Sequence, residues 1–360
     1  MNALTYFIST HKDWQELLAR PPYNLQIKCD GDYALLKYNM IESNFDLPEV
    51  CEARGCIYKR DGDDWFLINY PFSKFWNYGE SRAADIKWEN AVVTEKIDGS
   101  MVCLYWDNGW HWSTSGTIDA FAAHVNGTDK TFGDLIDEAI NYRYGSVENF
   151  LKIADADGSK GKSTHIFELV SLDSKVVIPY EQTDLFYLGS RFIGSGHYYD
   201  AGFKNKPQEY PLNTMDDVIA AAAELDWKHE GFVVFDGVNR IKCKSPAWIV
   251  AHHSVANGVI SDKTLVYLIM IGEIDELLVY CPEYAARVED WKEKFRMWCI
   301  YGNAQKTNMK EFWDAPRAEY AEKVHKFASK EYWDFLFKCY GNWDYTIEEY
   351  LKLNWKKIWF

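Results

Sequence analysis

Up to about residue 250, apolar positions come in short runs that alternate with polar ones and stop at Gly, Asp or Asn. Tyr33–Tyr38 (YALLKY), Trp65–Asn69, Ala91–Glu95, Val102–Trp106, His165–Val170, Phe232–Phe235 and Arg240–Lys244 have the length and β-branched or aromatic content of strands. Two stretches leave that pattern, FGDLIDEAINYR (Phe132–Arg143) and MDDVIAAAAEL (Met215–Leu225), where spacing and composition predict helices. Strand does not alternate regularly with helix, so the expectation is an α+β fold with mainly antiparallel pairing. After about Val255 the period changes. KTLVYLIMIGEIDELLVY, YAARVEDWKEKFRMW, AEYAEKVHKFA, YWDFLFKCY and TIEEYLKLNWKKI all place apolar residues at helical intervals. This predicts two domains, 1–254 and 255–360, the second all-helical, with no low-complexity linker and no internal repeat.

Composition narrows the classes. A chain of 360 residues has room for two domains that each bury a core. No apolar run reaches the roughly 20 residues of a membrane span, and MNALTYFISTHKDW lacks the basic and apolar regions of a signal peptide. The eight cysteines form no CxxC pair, and such dispersed thiols suit a reducing cytoplasm without disulfides. The net charge of -15 argues against coating nucleic acid with bulk positive charge. From Ala251 onward 15 Lys and Arg face 17 Asp and Glu, a net of -2, which leaves -13 for the first 250 residues. Any polyanion site is therefore a local cluster of cations on an acidic chain.

Several short segments carry candidate chemistry, each with a plain structural alternative. EKIDGSM sets Lys96 and Asp98-Gly99 between two strands, which is either a hairpin turn or a lysine presented to a cleft. In RIKCK, strand alternation points Lys242 and Lys244 one way and Cys243 the other, so the two lysines flank an anion or protect an edge. Glu168, within HIFELVS, opposes Phe167 and Leu169; it faces solvent or lines a polar cleft, because a lone buried carboxylate is costly. Glu230 opens its strand after a helix and a histidine and is equally open. Arg54-Gly55 reads as a turn or an anion contact. Lys74, beside Phe75 and Trp76, either snorkels over apolar surface or binds phosphate. His252-His253, as helix neighbours, diverge and are not assigned a role. The tryptophans of the helical region recur at core spacing.

Taken in order, EARG, PFSKFWNYGE, K-x-D-G-S, FELVSLDSKVVIPY, HEGFVVF and IKCKSPAW resemble the covalent nucleotidyltransferases, which include DNA ligases, RNA ligases and mRNA capping enzymes. Along nearly the whole chain, through KCYGNWDYTIEEYLKLNWKKI, the sequence is similar to the RNA ligases of the T-even bacteriophage tRNA-repair type. The resemblance implies a nucleotidyltransferase (ligase- and capping-enzyme-like) domain of antiparallel sheets with flanking helices, followed by a helical RNA-specificity domain. It also implies ATP and Mg2+, or Mn2+, as cofactors, and RNA with 5′-phosphate and 3′-hydroxyl ends, such as a cleaved tRNA, as substrate. A separate end-healing kinase-phosphatase, a monomeric state and a host cytoplasm belong to the same expectation.

By that resemblance Lys96 is the nucleophile, and Glu95, Tyr38, Gly99 and Trp248 belong to the ATP site. Arg54 and Lys74 contact phosphates, and Glu168 contacts the ribose and serves the later steps. Lys242 and Lys244 hold phosphate, and Glu230 assists a magnesium ion through water. Asp275 and Glu276 fall where relatives carry an acidic pair for a structural cation. The chemistry itself asks for such a set. A free lysine, of pKa ~10.4, is almost wholly protonated and a poor nucleophile, and cations crowded around it would favour the neutral amine while gripping the triphosphate. One departure is visible in WHWSTSGTI, where Ser115 stands in place of a basic residue. DNA ligase, capping guanylyltransferase and an idle RNA-binding protein on the same scaffold are the alternatives.

Overall fold

A computed structural model describes residues 1–360 apart from 41, 157, 175–177, 254–259 and 273, and apart from the side chains of 250–253, 271, 276, 279, 280 and 352. The expected boundary between 254 and 255, and the side chains of the histidine pair, lie outside the described residues. The strands are β1 (Leu25–Asp30), β2 (Tyr33–Tyr38), β3 (Arg54–Asp61), β4 (Asp64–Asn69), β5 (Trp76–Asn77), β6 (Val92–Glu95) and β7 (Ser100–Trp106). They continue with β8 (Trp110–Thr114), β9 (Ser163–Val170), β10 (Asp184–Phe192), β11 (Tyr198–Tyr199), β12 (Glu209–Tyr210), β13 (Gly231–Phe235) and β14 (Arg240–Lys244). Three sheets result, in the orders β1-β2-β3-β4, β11-β10-β9-β7-β8 and β12-β6-β13-β14-β5. Among the described residues the pairings are antiparallel except that of β14 with β5. The architecture is α+β with antiparallel sheets.

Helices cover the outer faces of two sheets. Helices α1 (Ala3–Thr10), α2 (Trp14–Ala19) and α3 (Pro48–Glu52) bury Leu4, Trp14, Leu18 and Val50 against Leu36 and Tyr58 of the first sheet. Helix α4 (Phe132–Tyr144) begins where the Thr131 hydroxyl accepts from Asp134 N–H and the Asp134 carboxylate accepts from Thr131 N–H. That reciprocal cap satisfies two amides that a helix start leaves without partners. With α5 (Val147–Ala156), it packs Leu135, Ile136, Ala139, Ile140 and Phe150 onto Phe167, Leu169, Leu185 and Tyr187. Helix α6 (Met215–Glu224) is capped by Thr214 and precedes β13, while α7 (Pro246–His253) follows β14.

The chain divides into two compact units, Met1–Gly258 and Val259–Phe360. In the second, the regular elements among the described residues are helices: α8 (Asp262–Ile271), α9 (Ile274–Tyr280), α10 (Ala285–Asn308), α11 (Arg317–Phe327), α12 (Trp333–Cys339) and α13 (Ile347–Trp359). Their core holds Trp298, Tyr320, Val324, Phe335, Leu336 and Leu351, with Trp313, Trp333, Trp343 and Trp359 packed partly buried against it. No helix among the described residues is long and apolar enough to cross a membrane.

Candidate active site

The end of β6 delivers Lys96 into a cavity of about 470 Å3. Its backbone is fixed before its side chain is considered, because Lys96 N–H donates to Gly231 O at 2.8 Å. Asp98, only 4% exposed, holds the other side of the turn: Ile178 N–H donates to its carboxylate at 2.8 Å, and Asp98 N–H donates to the Tyr180 hydroxyl at 3.3 Å. The aspartate of the K-x-D-G turn is thus a structural clamp, tying the turn to a segment some eighty residues later in the chain. Gly99 has its own requirement. A Cβ there would lie 2.4 Å from Leu169 O and 3.0 Å from Glu168 Cγ, so in this structure the glycine makes room for β9. Gly99→Ala is expected to destabilise the fold by about 1–3 kcal/mol, read by urea denaturation, and to displace Glu168 with the strand.

Inside the cavity the Lys96 amine donates to Glu230 Oε2 at 2.7 Å, and Lys244 Nζ lies 3.8 Å from the other oxygen of that carboxylate. Both lysines are partly shielded from solvent, and Glu230 is 5% exposed. A carboxylate therefore meets the amine, where the sequence reading had gathered cations around it and given Glu230 to a magnesium ion. The cations are present as well: Arg54, Lys206, Arg240, Lys242 and Lys244 all line the cavity. Lys242 and Lys244 face it as strand alternation requires, with Cys243 fully buried behind them. Glu95 and Glu168 also line it, and burial raises the pKa of Glu95.

Glu168 is half-buried on β9, opposite Met101 of β7 and Phe186 of β10. Desolvation, only partly offset by Lys96, pushes its carboxyl up to about 7 from an ordinary 4.5. Between those values the folded chain keeps a proton that the unfolded chain has lost. The contribution to stability is therefore full below about pH 4.5, falls as pH rises and is gone above about 7, an effect of the order of 1–3 kcal/mol. The difference in stability between the parent protein and Glu168→Gln should fall across that window; a flat difference would place the proton elsewhere.

Not every expected residue joins the cavity wall. Lys74 and Tyr38 meet each other instead, with the Lys74 amine 4.4 Å from the Trp76 ring, 4.9 Å from Phe45 and 5.5 Å from Tyr38. The ammonium lies over aromatic faces, a cation–π arrangement, and neither residue lines the cavity. Trp248 is buried beside Lys244, whose amine lies 4.9 Å from its ring, and it too lies outside the wall. In the second unit, Asp275 is exposed and pairs with Lys292 at 3.7 Å. The side chain of Glu276 lies outside the described residues. No cluster of three His, Cys, Asp or Glu suited to a metal ion occurs among the described residues.

The sequence reading missed Arg240. Its guanidinium sits 4.1 Å from the centroids of both Phe72 and Phe235 and 4.6 Å from Tyr198, and burial lowers its pKa to about 10, so it stays cationic at neutral pH. The signal was available, since Arg240 shares the strand face of Lys242 and Lys244. The aromatic box could not be read, because its members lie far apart in sequence.

A family model described as RNA ligase matches residues 52–247, a span that contains the whole cavity wall. The chain belongs to this RNA ligase family. It is 31% identical over 294 residues to a putative bifunctional polynucleotide kinase/RNA ligase of Autographa californica nuclear polyhedrosis virus, covering 75% of this chain and 40% of that protein. It is 28% identical over 197 residues to an RNA ligase of Rhodothermus phage RM378, covering 47% of this chain and 43% of that one. RNA ligase 1 of bacteriophage TS2126 is 27% identical over 251 residues, with coverages of 63% and 59%. The chain thus spans 40–59% of the length of these relatives. Among solved structures, an archaeal ATP-dependent RNA ligase aligns over 77% of this chain and 74% of its own, at 13% identity and a TM-score of 0.45.

Proposed function

We propose that the protein is an ATP-dependent RNA ligase that joins 5′-phosphate to 3′-hydroxyl ends through an adenylate carried on Lys96. The observation that carries the reading is the Lys96 amine, 2.7 Å from the Glu230 carboxylate, within a cavity walled by Arg54, Arg240, Lys242 and Lys244. In the first step the Lys96 nitrogen attacks the α-phosphorus of ATP, a P–N bond forms, the bond to the β-phosphate oxygen breaks and pyrophosphate leaves. Glu230 is positioned to take the proton that the amine must lose. The wall cations offset the charge of the leaving pyrophosphate. This modifies the sequence-based picture: the carboxylate removes the proton and the cations hold the phosphates.

In the second step an RNA 5′-phosphate oxygen attacks the same phosphorus, the P–N bond breaks and the lysine regains a proton. In the third, an RNA 3′-hydroxyl attacks the 5′-phosphate and AMP departs. Glu168, with a carboxyl titrating near neutrality, suits contact with the ribose and proton exchange in these later steps. Magnesium or manganese would be met at the cavity by Glu230, through water because magnesium keeps much of its hydration shell. Such an ion supplies charge neutralisation for the triphosphate.

The helical second unit is assigned to choosing the RNA, with cleaved tRNA as the substrate proposed. The name of the Autographa californica nuclear polyhedrosis virus relative joins a polynucleotide kinase to an RNA ligase in one protein. Here a separate kinase-phosphatase is proposed to prepare the ends, with the ligase acting as a monomer in the host cytoplasm. Incubation with labelled ATP or GTP, followed by sealing of single-stranded RNA and of nicked DNA, tests the reading. A covalent AMP adduct with RNA sealing is expected. A GMP adduct would point to capping chemistry, nicked-DNA sealing alone to a DNA ligase, and no adduct to an idle binding protein.

A further inference from the structure

A second group of cations lies on the first sheet, next to the turn that carries Ser115. Gly55, at φ +88°, forms a bulge in β3, and the register slips there so that Arg54, not Gly55, stands opposite Lys37 of β2. Lys37 is in turn opposite Gln26 of β1, two residues from Lys28, so Lys28, Lys37 and Arg54 share one face of the sheet. The missing Cβ of Gly55 also lets the turn come close, since a methyl there would lie 3.0 Å from Ser115 Cα. Lys28 donates to Gly116 O at 2.6 Å, and a methyl on Gly116 would lie 3.7 Å from the Lys37 amine. The turn itself is tied by the Thr114 hydroxyl, which accepts from Gly116 and Thr117 N–H.

None of the three cations forms an ion pair among the described residues, although the chain as a whole carries a net charge of -15. Lys28 on the edge strand could be explained as protection against sheet extension, but Lys37 lies on an inner strand and is half-buried. Burial, Lys28 and Arg54 all lower its pKa, a repulsion that an anion among the three would relieve. Arg54 also lines the Lys96 cavity, which makes the two sites continuous.

We infer that Lys28, Lys37 and Arg54, with the Thr114–Thr117 turn, form a phosphate-binding subsite adjoining the Lys96 cavity, in which Lys37 supplies the charge absent at Ser115. The inference rests on the ligase reading for its choice of ligand. Two sources offer that chemistry, the terminal phosphates of ATP and the backbone of the RNA strand being sealed.

The test is step-resolved kinetics on the full chain with Lys37→Met, and with Lys37→Arg as the conservative variant. Adenylation of Lys96 is followed with labelled ATP, and sealing with a pre-adenylated RNA strand that needs no ATP. At least a tenfold rise in the half-saturating ATP concentration, with sealing unchanged, supports the subsite and assigns it to the nucleotide. At least a tenfold loss confined to sealing supports it and assigns it to RNA. Lys37→Arg should recover most of either loss, and Ser115→Lys should add nothing. Titration with inorganic tripolyphosphate gives a readout free of catalysis, expected to weaken at least fivefold in Lys37→Met. A chain that forms no adduct but still binds tripolyphosphate through Lys37 would defeat the ligase reading and leave the subsite standing. Unchanged constants in both steps together with unchanged tripolyphosphate affinity overturn it. Lys28→Met, at an exposed position, serves if Lys37→Met does not fold.

Discussion

Lys96→Ala should yield no covalent AMP adduct above background, a fall of about 10³-fold or more in adenylation, while the protein still folds. The fold should survive because the main chain at this position is fixed by Gly231 O and by the Asp98 clamp, neither of which involves the lysine side chain. The adduct should vanish because no other amine stands as close to Glu230: Lys244 is 3.8 Å from that carboxylate against 2.7 Å for Lys96, and Lys206, which also lines the cavity, pairs with Asp200 instead. Mass spectrometry after incubation with ATP, with a thermal melt alongside, reads both halves. An adduct that persists in the variant would remove Lys96 from the reaction. Sealing of a pre-adenylated strand should be far less affected, since that step bypasses the lysine.

Glu230 substitutions should hurt both stability and chemistry. Removing its carboxylate leaves two lysines near each other without the anion that both approach. Breaking a fully buried pair costs about 3–5 kcal/mol; residual exposure of the lysines reduces this to about 1–3 kcal/mol. Adenylation should drop by about 10²-fold or more, the range for a positioned base. Glu230→Gln, which keeps shape and a hydrogen bond, should recover most of the stability seen lost in Glu230→Ala without recovering the rate. Urea denaturation and adduct kinetics separate the two. Equal rates in Glu230→Gln and the parent would mean the proton leaves by another route.

Local pattern fixed much of this fold in advance, because half-buried strands write their faces into the sequence. Tyr33–Tyr38 and Arg240–Lys244 have the bounds expected of them, and Phe132–Tyr144 extends the expected helix by one residue. Other strands carried no such mark. Leu25–Asp30 is an edge strand with mostly exposed residues, and Asp184–Phe192 is interrupted by a register shift around Gly189. At the site, Lys96 was marked by the K-x-D-G-S motif rather than by any local period, whereas the shared direction of Lys242 and Lys244 was legible because alternation fixes it. The pairing of Lys96 with Glu230 was not, as 134 residues separate them and only sheet order brings β6 beside β13. The placement of Lys74 was legible only in part: Phe75 and Trp76 stand beside it in sequence, but Tyr38 and Phe45, which also face its amine, come from another part of the chain.

The double anchoring around Lys96 carries a consequence for turnover. With the peptide backbone pinned on either side of it, the adenylate proposed to form on this residue would have little freedom to travel by loop motion. Its reach is limited to rotation about the methylene bonds of a single side chain. On the proposed mechanism, incoming RNA ends would have to be brought to the adenylate, which shifts the burden of alignment onto the strands being joined.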